Sequence, residues 1–182
     1  MSKKFFALFT VSIIMGCGIA IYLSFFSTSL ENIVIKGNDS AIELKGEKTV
    51  INRVTCMIPH SYANGTIKKS QGIETYGTYK SDSIYITVYD ISKQGDKVYQ
   101  GDIDYFAYGI ANKDNNPKRE NITMADHTIL YVTQHSQTRG DYRLAFFEVN
   151  GQKVLIEWLG HEITPDIKNI IYSFYMLNKN LK

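Results

Sequence analysis

The residues of this chain that could do chemistry are few and scattered. His161-Glu162-Ile163-Thr164-Pro165 begins like the HExxH of a zinc protease, in which two histidines one helical turn apart face a metal. Its fifth position is Pro165, which suits the start of a helix and not its interior, so the second ligand is missing. Cys56, four residues before His60, suggests a thiol nucleophile. Alternation within VTCMI makes it a buried strand residue instead, since free cysteine behaves as a small hydrophobe. A reactive thiolate also needs an electropositive, partly open site, and none is identifiable.

Asp126-His127, His135 and the Asp102/Asp104 pair would join a metal site only through tertiary proximity, and helix capping or a solvated face accounts for the aspartates. The chain has no Gly-x-Ser-x-Gly elbow and no Gly-x-x-x-x-Gly-Lys phosphate loop. No catalytic, cofactor-binding or metal-ligating residue is therefore assigned, and no cofactor is expected. One enzyme reading stays open, an anchored hydrolase or metal-dependent enzyme built from Cys56, Asp126, His127 and His135.

Tyrosine is the compositional oddity, with thirteen in all and twelve of them after residue 30. Tyr76, Tyr79, Tyr85, Tyr89, Tyr105 and Tyr108 cluster in the first half of the domain. An apolar ring with a polar tip suits a surface that meets a partner or a sugar, and Tyr85, Tyr89, Tyr105 and Tyr108 are the candidate partner surface. The competing explanation is that tyrosine simply fits half-buried strands.

Charge and hydropathy narrow the setting. Phe5 to Leu30 carries no charge, and its core FFALFTVSIIMGCGIAIYLSFF is long enough as a helix to span a bilayer, which takes roughly 20 residues. Three fates compete for residues 1–30. The length favours a retained anchor, since a cleaved signal has an apolar core of roughly 7–15 residues. Ser27 and Ser29 would suit a cleavage site. Ile14-Met15-Gly16-Cys17 resembles the bacterial lipobox, in which Cys17 would be lipidated, although the following residues stay apolar. Lys3 and Lys4 before the segment and Glu31 after it favour the domain outside the cytoplasm. Without residues 1–30, the chain holds 18 basic and 18 acidic residues, which argues against a nucleic-acid partner. The expected partners are the membrane, through residues 5–26, and a protein or envelope component.

Residues 31–49 read as a spacer that could add an edge strand, and residues 50–182 as an α+β soluble domain. Strands are expected at 54–58, 72–79, 83–90, whose alternation sets Tyr85, Thr87 and Tyr89 on one face, and 128–135, with a helix over 101–111 started by Asp102 and a loop over 112–121. Asn64-Gly65 marks a turn. Asn150-Gly151 predicts a two-residue hairpin that sets Glu148 against Lys153 and Arg143 against Trp158. That hairpin is apolar on both faces, so its sheet must be covered on both. Thr164, Pro165 and Asp166 start a final helix whose stripe is Ile167, Ile170, Ile171, Phe174 and Leu177. The predicted class is α+β, an antiparallel β-sheet sandwiched by helices behind one N-terminal membrane helix.

This order resembles the PsbP/DcrB-like sandwich domains, on Met57-Ile58-Pro59, the strand Ile84-Tyr85-Ile86-Thr87-Val88, the hairpin VNGQKVLIEWLG and Ile171-Tyr172-Ser173-Phe174. The resemblance spans about 54–177 and implies an exported or membrane-attached accessory protein without a shared catalytic centre. The expected function is a non-catalytic extracytoplasmic interaction domain. The alternatives are a small-ligand carrier, which needs an apolar pocket between sheet and helix, and the anchored enzyme.

Overall fold

The computed structural model describes residues 33–37, 40–78, 83–91, 94–109, 117–136, 140–160 and 162–179. The expected anchor, with Cys17, lies outside the described residues. Among the described residues, no helix is long and apolar enough to cross a membrane.

The strands are β1 (Ile33–Gly37), β2 (Ser40–Leu44), β3 (Glu47–Ile51), β4 (Val54–Ile58), β5 (Thr66–Ser70), β6 (Ile73–Gly77), β7 (Ile84–Tyr89), β8 (Lys118–Met124), β9 (His127–Ser136), β10 (Gly140–Val149) and β11 (Gln152–Leu159). The helices are α1 (Gly95–Phe106) and α2 (Pro165–Leu177). Seven strands form one antiparallel sheet in the order β5-β6-β7-β11-β10-β9-β8. β1–β2 and β3–β4 are separate antiparallel hairpins. The fold is a sheet-dominated α+β arrangement.

Alternation along each strand builds two cores. Ile84, Ile86, Val88, Val154, Ile156 and Phe147 face one way and join Ile167, Ile170, Ile171 and Phe174 of α2. Cys56 and Ile58 of β4 complete that cluster. Tyr89, Leu144, Phe146 and Leu155 face the other way and meet Tyr99, Ile103 and Phe106 of α1 and Ala107 just after it. The doubly apolar hairpin is thus covered on both faces, as its composition requires.

Two-residue turns set the registers. The left-handed pairs Asn52-Arg53, Gln71-Gly72, Ala125-Asp126 and Asn150-Gly151 all have positive φ and join directly paired strand ends. That geometry matches strand twist, which is why two residues suffice. The Asn150-Gly151 register is the predicted one, with Glu148 opposite Lys153 and their charged ends 2.5 Å apart. Arg143 does oppose Trp158, whose indole stacks on Tyr131 at 6.0 Å and donates to the Glu162 carbonyl at 3.2 Å.

α2 starts as predicted: Thr164 Oγ1 accepts from the Ile167 N–H at 3.3 Å, with Pro165 in the first turn. Its polar side covers the free edge of β4. Ser173 Oγ accepts from the Met57 N–H at 2.8 Å, and Asn178 Oδ1 accepts from the Thr55 N–H at 2.9 Å. One turn earlier along the helix, Asn169 makes a two-way bond with the Lys45 backbone. A strand edge that would otherwise present bare N–H groups is satisfied by side chains.

Three expectations need correction. The segment 31–49 is no spacer with one edge strand, because it contains β1 and β2 and most of β3. α1 begins at Gly95, and Asp102 sits inside it and does not cap it. Its first turn is polar and Val98 and Tyr99 are followed by Gln100-Gly101-Asp102, so the stripe from Ile103 onward is the part that reads as helical. A Cβ on Gly95 would lie 2.7–3.0 Å from the Asp90 backbone, so glycine lets the helix start against the end of β7. Lys118–Asn121 belongs to β8 and not to a loop. An edge strand needs only its ladder bonds and can stay polar on both sides.

Candidate functional site

α1 crosses its face of the sheet without covering all of it. Its Tyr99 ring packs edge-on between Tyr89 at 5.2 Å and Phe146 at 5.7 Å. Near its end, the Phe106 carbonyl accepts from Gln134 Nε2 of β9. Beside the helix, a groove of about 410 Å³ opens between it and β6, β7 and β11.

Strand alternation supplies the floor. Thr75 and Thr87 are directly paired, with their hydroxyls 3.1 Å apart, and Tyr85 and Tyr89 flank Thr87 on the same face. The Tyr85 ring lies over Gly77 on the neighbouring strand, where an added Cβ would come within 2.8 Å of Cδ1. A glycine without a side chain thereby fixes where that ring rests. β11 adds Leu155 and Glu157, and Glu157 is directly paired with Tyr85.

Helical spacing supplies the wall. Val98, Asp102 and Phe106 recur every four residues and line the groove. Tyr105, one turn after Asp102, stands 40% exposed, as does Val98. Tyr89 donates its hydroxyl to Asp102 Oδ2 at 2.5 Å, tying floor to wall. Burial holds the Asp102 carboxyl above its usual range, and the Tyr89 bond offsets part of that. Burial likewise pushes the Tyr89 phenol far up, with the Asp102 bond and the charges of Asp102 and Glu157 acting the same way. Both carboxylates thus bear on one phenol. The lining contains two acidic residues and no lysine, arginine or histidine among the described residues.

The four candidate surface tyrosines divide. Tyr85 is half-buried and lines the groove, and Tyr105 rises on the helix beside it. Tyr89 is 2% exposed, so it positions Asp102 and presents almost no surface of its own. Tyr108 lies beneath the Arg119 guanidinium, 4.5 Å from its ring centre, toward β8. The sequence reading missed Thr75, Thr87, Val98, Phe106, Leu155 and Glu157. The strand alternation already placed Thr87 beside Tyr85, but the groove exists only where a helix stops covering a sheet, which no local pattern records.

The four-residue catalytic set is not assembled. His127 and His135 occupy opposite ends of β9, about 26 Å apart at roughly 3.3 Å per strand residue. His127 stacks flat on Tyr175 at 3.8 Å, and His135 Nδ1 pairs with Asp141 at 2.6 Å. Asp126 is a left-handed turn residue. Cys56 is wholly buried, and burial pushes its thiol far above the usual range, the opposite of nucleophile activation. Among the described residues, no three His, Cys, Asp or Glu side chains are grouped to hold a metal. His161 lies outside the described residues.

The chain was compared with protein-family models, with curated proteins and with solved structures, and none of the three comparisons finds a match.

Proposed function

We propose that the chain is a membrane-anchored, extracytoplasmic accessory domain without catalytic activity, and that the groove beside α1 is its binding site. The carrying observation is the groove itself: about 410 Å³ of concave surface with apolar walls and a few convergent polar groups. The burial of Cys56 and the placing of His127 and His135 at opposite ends of β9 count against the enzyme reading that named those residues. The uncharged stretch from Phe5 to Leu30 supports attachment to a membrane, and the order of elements supports the PsbP/DcrB-like reading.

The groove favours a second reading as well, a carrier for a small ligand, because its volume lies in the range such ligands occupy. One experiment addresses both. Full-length protein is used to capture binding species from envelope extracts, beside a Thr87→Trp variant that fills the groove floor. Species held by the wild type and lost from the variant support the groove as the site. Equal capture by both places binding elsewhere. Absence of any partner together with turnover of a substrate panel would sink the non-catalytic reading. Protease added to cells permeable at their outer boundary should digest the domain, and full protection would refute its external position.

A further inference from the structure

We infer that Asn64 is a site of spontaneous deamidation, held in check by one tyrosine hydroxyl, and that Asn150, the other asparagine followed by glycine, is protected by the fold. The sequence contains two Asn-Gly dipeptides, at 64–65 and 150–151. Asparagine is thermolabile, and a following glycine leaves its reaction partner, the next backbone nitrogen, without a side chain to shield it.

The fold itself imposes the dipeptide at 64–65. Asn64 has φ 68°, a left-handed conformation that asparagine tolerates better than most residues. A Cβ on Gly65 would lie 2.2 Å from the Tyr76 ring, so only glycine fits there. Similar demands hold at the β10–β11 turn, where Asn150 and Gly151 have φ 49° and 69°.

The reaction needs only water. The Gly65 nitrogen attacks Asn64 Cγ, and the new N–Cγ bond replaces the bond from Cγ to Nδ2. The Gly65 proton leaves with the side-chain nitrogen as ammonia, and a cyclic imide remains. Water then opens the imide at either carbonyl, giving aspartate or isoaspartate with no change of oxidation state. Ring closure requires the chain to leave the left-handed conformation, so the rate follows the cost of opening each turn locally.

That cost differs between the two sites. Asn64 is exposed and leads into β5, an edge strand exposed along its whole length. The Tyr76 hydroxyl bridges this turn, accepting from the Gly65 N–H at 2.9 Å and donating to the Tyr62 carbonyl at 2.6 Å. The first of these bonds sits on the attacking nitrogen. Asn150 instead joins two strands that are each paired on both edges within the sheet. Its Nδ2 donates to the Asn178 carbonyl, which ties down the carbon under attack.

The test is peptide mapping by mass spectrometry after the full-length chain has been kept in non-ionic detergent and mildly alkaline buffer at body temperature. Tryptic cleavage puts the two sites in separate peptides, residues 54–68 and 144–153, each with a single asparagine. Digestion in heavy-oxygen water marks any conversion that occurs during handling. In the folded chain Asn64 should convert at least roughly tenfold faster than Asn150, and in urea the two rates should come within roughly threefold of each other. Tyr76→Phe should speed conversion of Asn64 by roughly three- to tenfold, the effect of about one hydrogen bond, with Trp158 fluorescence confirming that the variant folds. Asn150 converting as fast as Asn64 in the folded chain overturns the assignment. So does conversion of neither site in the folded chain while both convert in urea. An Asn64 rate unchanged in folded Tyr76→Phe overturns the hold given to Tyr76. The wild-type comparison decides the site even where that variant fails to fold.

Discussion

Asn178 is the residue on which the closing of the first core turns, and its removal has a calculable cost. It is 1% exposed just beyond α2. Its side chain accepts from the Thr55 N–H at 2.9 Å and donates to the Thr55 and Phe174 carbonyls at 2.7 and 2.6 Å. Its own carbonyl accepts from Asn150 at the hairpin turn, but that bond survives truncation. Asn178→Ala thus deletes three side-chain bonds. At about 0.5–1.5 kcal/mol each, with water able to reach half-buried Thr55, the loss should be about 2–4 kcal/mol. Trp158, the chain's one tryptophan and 1% exposed, reports unfolding by fluorescence. In urea the midpoint should fall by roughly 1–2 M at unchanged slope. Asn178→Asp keeps the acceptor, loses both donors and places a charge in the core, so it should be at least as unstable as the alanine variant. A midpoint shift under about 0.3 M for alanine, or an aspartate variant as stable as wild type, would refute the role given to these bonds.

Three further outcomes follow from the geometry. Gly46 has φ +128° and faces the Ile58 carbonyl, which an added Cβ would approach to 2.2 Å; Gly46→Ala should cost more than about 3 kcal/mol and lower Tm by roughly 6–12 °C in calorimetry, and an unchanged Tm would show that the β2–β3 connection has slack. Burial pushes the phenols of Tyr89, Tyr99 and Tyr175 well up, so the stability tied to them is complete below the unfolded value of about 10 and lost as pH rises past it. Ultraviolet titration should therefore show these tyrosines ionising together with cooperative unfolding, and a smooth titration of every tyrosine in the folded protein would contradict their packing. Asp102 is also held up, so its contribution is complete below the unfolded value of about 3.9 and declines as pH rises through the folded value. Asp102→Asn, which cannot ionise, should gain stability relative to wild type as pH rises above the unfolded value of about 3.9, and a pH-independent difference would argue that the carboxyl is well solvated.

Where the sequence spoke clearly, two independent signals coincided. At Asn150-Gly151 the turn dipeptide and the apolar flanks agree on one register, and β10 and β11 adopt it. At Thr164-Pro165-Asp166 the cap, the proline and the stripe of isoleucines agree on the start of α2. The turns at Asn52-Arg53 and Ala125-Asp126 use the same left-handed geometry, but alanine and arginine carry no turn preference. Alanine with φ 50° at Ala125 is held there by the β8–β9 ladder, not by its own tendency. β1 and β2 read as a spacer that could add an edge strand because their short apolar runs, IVI and AIEL, are set in an otherwise polar stretch. The groove was half legible: alternation put Tyr85 and Thr87 on one face, while the position of α1 above them depends on Gly95 and on contacts distant in sequence.

The bonds that seal β4 also set an order of events in synthesis. Lys45 and Asn169 are 124 residues apart, and Thr55 and Asn178 are 123 apart. Most of the sheet is made of sequence-adjacent hairpins that can pair as they emerge. The β3–β4 hairpin cannot dock until the last turn of α2 has left the ribosome. Until then the apolar strand VTCMI, though paired with β3 on one edge, leaves the outward Thr55 and Met57 N–H groups unanswered, a state in which a nascent chain aggregates or is held by a chaperone. A message truncated just before codon 178 would yield a nearly complete domain that never leaves that state.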